Sequence, residues 1–193
     1  MKKTVWIILG VIALVILWAM FAYNRLVSTE EGTSNAWAQV ESVYQRRADL
    51  IPNLVNTVKG SAEFESNTLQ EVIEARTAAM GVKVDANKLS EEQVAQFEKA
   101  QQNLSGALGR LMVVVERYPD LKTTANFLEL QAQLEGTENR ITVERMKFND
   151  AVRKYNIAIR RFPSNLIADM FGFEKKGYFA ATEGAENAPE VQF

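Results

Sequence analysis

Between Lys3 and Arg25 the chain carries no charged residue, and Val5 to Tyr23 (VWIILGVIALVILWAMFAY) is apolar over nineteen positions. As a helix this run spans roughly 28 Å, the thickness of a bilayer's hydrocarbon core. Trp6 lies at one end, with Trp18 and Tyr23 toward the other, where amphipathic rings suit the headgroup levels. The competing reading is a cleaved signal peptide led by Lys2 and Lys3. The run is longer than an ordinary signal core, however, and no clean small-x-small site follows it, so residues 1–24 are read as a transmembrane anchor. Lys2 and Lys3 precede the span and Arg25 alone follows it closely. That bias places the N-terminus inside and the rest of the chain on the outer side of the cytoplasmic membrane.

The remainder is of a size that makes one domain with one core. A hydrophobic content of 47% with 24% charged residues suits a globular fold. With no cysteine there is no disulfide, thiolate metal site or cysteine nucleophile, and with no histidine the commonest general base and transition-metal ligand is missing. Most enzyme mechanisms are thereby disfavoured, and no catalytic residue, metal or cofactor is expected. A net charge of -2 leaves no cationic excess for a nucleic acid.

Residues 25–35, with the polar stretch Ser28 to Asn35 around Gly32, read as a juxtamembrane linker or helix entry. From Ala36 to Ala79 the helical period dominates, with Val40, Val43, Tyr44, Arg47, Leu50, Ile51, Leu54 and Val58 on one stripe. Pro52 should bend this helix, and Gly60-Ser61 is a second soft point. Gly81 to Asn87 breaks the pattern; Ser90-x-x-Gln93 then has the form of a capping box opening a second helix that closes at Tyr118-Pro119.

In a third helix Phe127, Leu134, Ile141, Phe148, Tyr155 and Phe162 recur every seven residues, with Leu130, Thr137, Glu144, Val152 and Ile159 near the complementary seam. From about Thr123 to Phe162 it would be roughly 60 Å long, so helices of similar length must cover its stripe. Short connections make neighbours antiparallel. The expected fold is all-α: an N-terminal transmembrane helix and then an up-and-down bundle over residues 36–171 of three long helices, with Asn165 to Phe171 as a possible short fourth. Residues 172–193 read as a tail whose isolated aromatics dock on the bundle or on a neighbouring subunit.

Several segments carry a family resemblance: Arg46 to Val55 (RRADLIPNLV) with Thr57-Val58-Lys59-Gly60, Glu74-Ala75-Arg76, Tyr118 to Lys122 (YPDLK), Leu130 to Ile141 (LQAQLEGTENRI) and Tyr155-Asn156. Together, from about Tyr23 to Phe173, they resemble the LemA family. The resemblance implies a bacterial membrane protein with an N-terminal transmembrane helix and an antiparallel helical bundle. It implies no catalytic residues, and leaves function open.

Three constellations have two readings each. Arg46, Arg47, Asp49 and Asn53 beside Pro52 form a polar cluster that either holds a ligand or satisfies backbone freed by the proline while an arginine pairs across the bundle. Glu135, Glu138, Asn139, Arg140, Glu144 and Arg145 are either solvated pairs and a bundle-crossing ion pair, with Glu74 and Arg76 as crossing partners, or a carboxylate metal site of the kind helical bundles hold, for which the histidine three residues after a glutamate is missing. Leu111, Met112, Val113, Val114 and Val115 are apolar all round their helix, so a further element of the chain or another subunit should cover them. Three functional classes follow: a structural, scaffold or self-assembling component of the cell envelope; a sensor or adaptor binding a ligand or partner; and, least favoured, an enzyme. The expected partners are the lipid bilayer and further copies of the chain.

Overall fold

The computed structural model describes residues 2–60 and 66–180. Among these there are six helices and no strand: α1 (Lys2–Lys59), α2 (Ser66–Gly81), α3 (Glu91–Val115), α4 (Pro119–Lys122), α5 (Ala125–Arg160) and α6 (Ser164–Phe171). The all-α reading with a membrane-spanning N-terminal helix and an antiparallel bundle holds. Two of the connections differ from the expectation.

First, the linker at 25–35 is helix, and α1 runs without a break from the apolar span into the bundle, about 87 Å for its 58 residues. The Ser and Thr residues that read as loop bond locally or to a neighbouring segment. Thr29 and Thr33 donate to the carbonyls of Leu26 and Glu30 at 2.9 and 2.7 Å, and Ser34 donates to Ala86 at 3.0 Å. Second, the segment Ala36 to Ala79 is two helices. α1 passes through Pro52 and ends at Lys59, α2 begins at Ser66, and α2 runs back along α1. The soft point at Gly60 is therefore a reversal, while Ser61 lies outside the described residues. The bundle proper has four members, α1, α2, α3 and α5, the closest backbone pairings being α1 with α5 and α2 with α3.

Local signals behave as the sequence indicates. The Ser90 hydroxyl accepts from the Gln93 amide at 3.3 Å and opens α3; Thr124 caps α5 by accepting from the Phe127 amide. α5, about 54 Å long, threads three stacked core layers. Phe127 and Leu134 lie in the distal layer, Ile141 and Phe148 in the middle one, and Tyr155 in the membrane-proximal one. The seventh-residue stripe stops there: Phe162 follows the end of α5 and is 77% exposed, because the residue before Pro163 avoids helical torsions. Thr137, Val152 and Ile159 of the second seam are buried as well. Asn165 to Phe171 falls within α6. Val5 to Tyr23 face outward from α1 nearly throughout, with only Ala19 partly and Ala22 fully covered, so the run has the length, composition and exposure of a single membrane span.

Candidate functional site

Arg47 occupies a stripe position of α1, one turn from Tyr44 and Ile51, and its side chain enters the bundle. There it ties three helices together. Nη1 donates to Ser105 Oγ of α3 at 2.8 Å and to Glu138 Oε2 of α5 at 2.9 Å; Nη2 donates to Gln101 Oε1 at 2.6 Å and to the Gln101 carbonyl at 3.3 Å. The guanidinium also lies 5.0 Å from the Tyr44 ring centroid. Burial pushes the Tyr44 phenol above its ordinary value, against the pull of the Arg145 and Arg47 charges. A second bridge, Arg145 of α5 to Glu98 of α3, closes the same side of the bundle.

The polar cluster expected at Arg46, Arg47, Asp49 and Asn53 is not brought together. Arg46, Asp49 and Asn53 are exposed, and Asp49 accepts from Gln45 on its own helix at 2.8 Å. The crossing arginine is Arg47, with Glu138 as its ionic partner. Glu74 instead accepts from Gln70 nearby. Glu144 pairs with Lys147 at 2.9 Å, and Glu135 accepts from Gln131 at 3.0 Å, both within α5.

The backbone freed by Pro52 finds a partner in α2. A proline at position 52 leaves the Ala48 carbonyl without its intrahelical donor, and Arg76 Nε donates to that carbonyl at 2.7 Å. Arg76 thus reaches α1 through the main chain rather than through a carboxylate. Arg76→Met is expected to lower stability by about 1–2 kcal/mol by leaving the carbonyl unpaired. In a Pro52→Ala background, where residue 52 regains an N–H, most of that loss should vanish. Equal losses in the two backgrounds, read from denaturant midpoints, would separate Arg76 from the proline.

Beyond α6 the chain from Phe173 to Ala180 runs without helix along α5, held by two asparagines. Asn156 Nδ2 donates to the Lys176 carbonyl at 2.9 Å while its Oδ1 accepts from the Lys176 amide at 3.0 Å. Asn149 makes the same double contact with Phe179, at 3.0 and 2.9 Å. Seven helical residues and three extended ones both cover about 10 Å, so one asparagine per heptad matches this strap's own repeat. The strap carries Phe179 into the middle core layer, stacked at 5.9 Å on Trp37, and delivers Ala180 to both members of the Arg145–Glu98 pair. Lys176 is buried. Its Nζ donates to the Asn87 carbonyl at 2.6 Å, lies 3.2 Å from Glu30, and sits 5.3 Å from the Tyr155 ring centroid. Burial first, then the carboxylates of Glu30 and Glu174, hold the Tyr155 phenol well above its ordinary value.

Of the two readings of the tail, docking on its own bundle describes residues 173–180; residues 181–193 lie outside the described part. Gly177 is required where the strap passes the start of α3. Its amide donates to the Leu89 carbonyl at 2.8 Å, and a Cβ there would come within 2.6 Å of Glu91 Cα. Gly177→Ala should therefore lift the strap and cost about 1–3 kcal/mol in denaturant unfolding. An unchanged midpoint would show that the strap contributes nothing.

The apolar belt of α3 is mostly covered within the chain. Leu111, Val114 and Val115 are buried and Met112 is half-buried; Val113 alone is open, at 70%. Between α3 and α5 a cavity of about 350 Å³ remains, lined by Leu108, Met112 and Leu134 with Arg47 and Glu138 at its polar end. Its size and its apolar lining with convergent polar groups suit a small ligand. The sequence reading gave no structural role to Asn149, Asn156, Lys176 or Gly177. The signal for the asparagines was present: each follows a core aromatic, Phe148 or Tyr155, at the same seven-residue interval.

A bundle anchored by one of its own helices, its buried cations engaged with acceptors of the same chain, defines a membrane protein of the single-span, helical-bundle class. A profile of the LemA family matches residues 36–193, and the chain belongs to that family. The chain is 29% identical over 179 residues to magnetosome protein MamQ 2 of Paramagnetospirillum magneticum, an alignment covering 83% of this chain and 65% of the relative. It is 28% identical over 181 residues to magnetosome protein MamQ of Magnetospirillum gryphiswaldense, with the same coverage. Similarity to protein LemA of Metamycoplasma hominis is 22% over 160 residues, covering 83% of this chain and 69% of that one. The chain thus spans about two thirds of the length of these relatives.

Proposed function

We propose that the chain is a scaffold component of the bacterial cell envelope, structural rather than catalytic, with its bundle outside the cytoplasmic membrane and working as a homo-oligomer. One observation carries this reading. α1 is a single helix from the membrane run to the distal core, so the bundle is joined to the span by helix and not by a loop. A rigid junction holds a domain at a set height and angle, which suits assembly more than the reach of a tethered adaptor. Similarity to proteins named as magnetosome proteins adds weight to a structural reading over an enzymatic one.

Val113, at the distal end, is the belt residue free to meet a second copy; Val114 is core, so a charge there would report unfolding rather than assembly. In membranes containing the full chain, Val113→Cys should form intermolecular cross-links, with no native cysteine to compete. Asp120→Cys, exposed at the same end, should be labelled by an impermeant thiol reagent from the outer face. A wild-type chain that is monomeric by cross-linking and by mass in detergent would remove the scaffold reading. A sensor or adaptor would then lead, the cavity between α3 and α5 being the observation in its favour.

A further inference from the structure

α6 buries one side and leaves the other exposed. Ile167 and Ala168 pack into the membrane-proximal core with Leu26, Tyr155 and Ile159. Leu166 and Met170 lie on the opposite side and are exposed; Phe171, one turn on from Ile167 at the end of the helix, and Phe162 just before the helix are exposed as well. Four large apolar side chains exposed within ten residues are more than a soluble surface ordinarily carries in one place.

Their position along α1 says what covers them. The α1 residues that pack in this layer include Ala19 and Ala22, which belong to the charge-free membrane run. The Tyr23 ring lies 4.8 Å from Phe171 and 5.9 Å from Phe173, centroid to centroid. α6 therefore sits at the level of the last few residues of the span. The four helical steps from Ala19 to Tyr23 are about 6 Å, and helices that lie in the bilayer interface bury their apolar side about 5–10 Å deep. Arg25, Arg160 and Arg161 are exposed around the same level, on stems long enough to reach headgroups, with Asp169 the one acid on α6.

We infer that α6 is an interfacial helix: Phe162, Leu166, Met170 and Phe171 enter the outer part of the lipid leaflet beside the span, giving the bundle a second membrane contact. The protein then meets the bilayer through a span and a foot set beside it. Rotation about the span axis and tilt of the bundle are both restricted by this contact, whether the bundle acts as scaffold or adaptor.

The absence of cysteine allows a direct depth measurement on the full chain. Leu166→Cys and Met170→Cys, each spin-labelled and reconstituted in phosphatidylcholine–phosphatidylglycerol vesicles, are compared with Ile12→Cys in the middle of the span and Asp120→Cys at the distal end. All four sites are exposed, so the substitutions leave the core intact. Labels at 166 and 170 should favour collision with oxygen over a water-soluble nickel complex severalfold more than the label at 120, at a depth between 120 and 12. Nickel access equal to that at 120 would overturn the inference. Shielding from both reagents, accompanied by cross-linking between copies through 166 or 170, would overturn it in favour of a self-interface.

Discussion

Phe148→Ala should lower the unfolding free energy by about 3–5 kcal/mol. The residue is fully buried in the middle core layer, 5.3 Å from Trp37 and 5.4 Å from Phe179 by ring centroids, with Phe97 also against Trp37 at 5.1 Å. Truncation removes one ring from a linked set of four aromatics drawn from α1, α3, α5 and the strap, two of which, Trp37 and Phe179, it touches directly. No single backbone shift can close a void bounded by α1, α5 and the strap, so both the transfer and cavity contributions persist. Trp6 and Trp18 lie in the membrane span and Trp37 is the remaining tryptophan, so the change in bundle emission on denaturation is read from Trp37. Leu134→Ala should cost about 2–5 kcal/mol and fall toward the lower figure, since Leu134 already borders the α3–α5 cavity. Phe162→Ala, equivalent to Phe148 by the seven-residue pattern, should change stability by no more than about 0.5 kcal/mol because its ring is outside. Equal losses at 148 and 162 would mean that the stripe continues past α5.

Much of the architecture is legible because helices announce themselves by period and cap. The Ser90 and Thr124 caps, the stripe of α5 and the apolar run of α1 all depend on residues within one or two turns, which is the range a single sequence displays. Connections are harder to read. Ser28 to Asn35 has loop composition, yet its hydroxyls bond back onto α1 or across to Ala86, and the second of these partners is 52 positions away. Gly60 was legible as weak without revealing whether the chain bends or reverses there. That is decided by whether α2 can bury Leu69 and Val72 against α1 and α3, a long-range matter.

The site divides in the same way. Arg47 stood on the apolar stripe, so its entry into the bundle was readable, and the choice of Glu138 as partner lay among the acids of α5 already singled out. The roles of Arg76 and of the strap were not readable, for a common reason. In both, a side chain satisfies backbone: Arg76 the Ala48 carbonyl, Asn149 and Asn156 the strap peptides. Main-chain groups carry no residue identity, so pairing charges along the sequence assigns Arg76 to a glutamate. Pro52 was the available clue, since the carbonyl it frees must be satisfied by something.

Arg47→Ala should lower stability by about 3 kcal/mol, chiefly through what it leaves behind. Glu138 is not the main loser: its side chain is 55% exposed, and its carboxylate can return to water. Glu138→Gln should accordingly cost less than about 1 kcal/mol. Gln101 is different, being buried with its amide oxygen 2.6 Å from Arg47, and alanine would strand that acceptor beside a new void. Arg47→Met separates charge from volume. It refills the space, still strands Gln101, and should recover roughly half the loss, because the wild-type guanidinium is itself imperfectly placed, with a buried Nε that has no hydrogen-bond partner. Added salt should change these differences little, since the network is shielded from solvent on the Gln101 side. If Glu138→Gln proves as damaging as Arg47→Ala, the ion pair and not the buried network holds α1, α3 and α5 together. The same variants bear on function, because Arg47 lies at the polar end of the α3–α5 cavity. An anionic ligand bound there would need Arg47 whatever the fold's stability, so a folded Arg47→Met chain that assembles in membranes like wild type would leave this residue a structural cross-link.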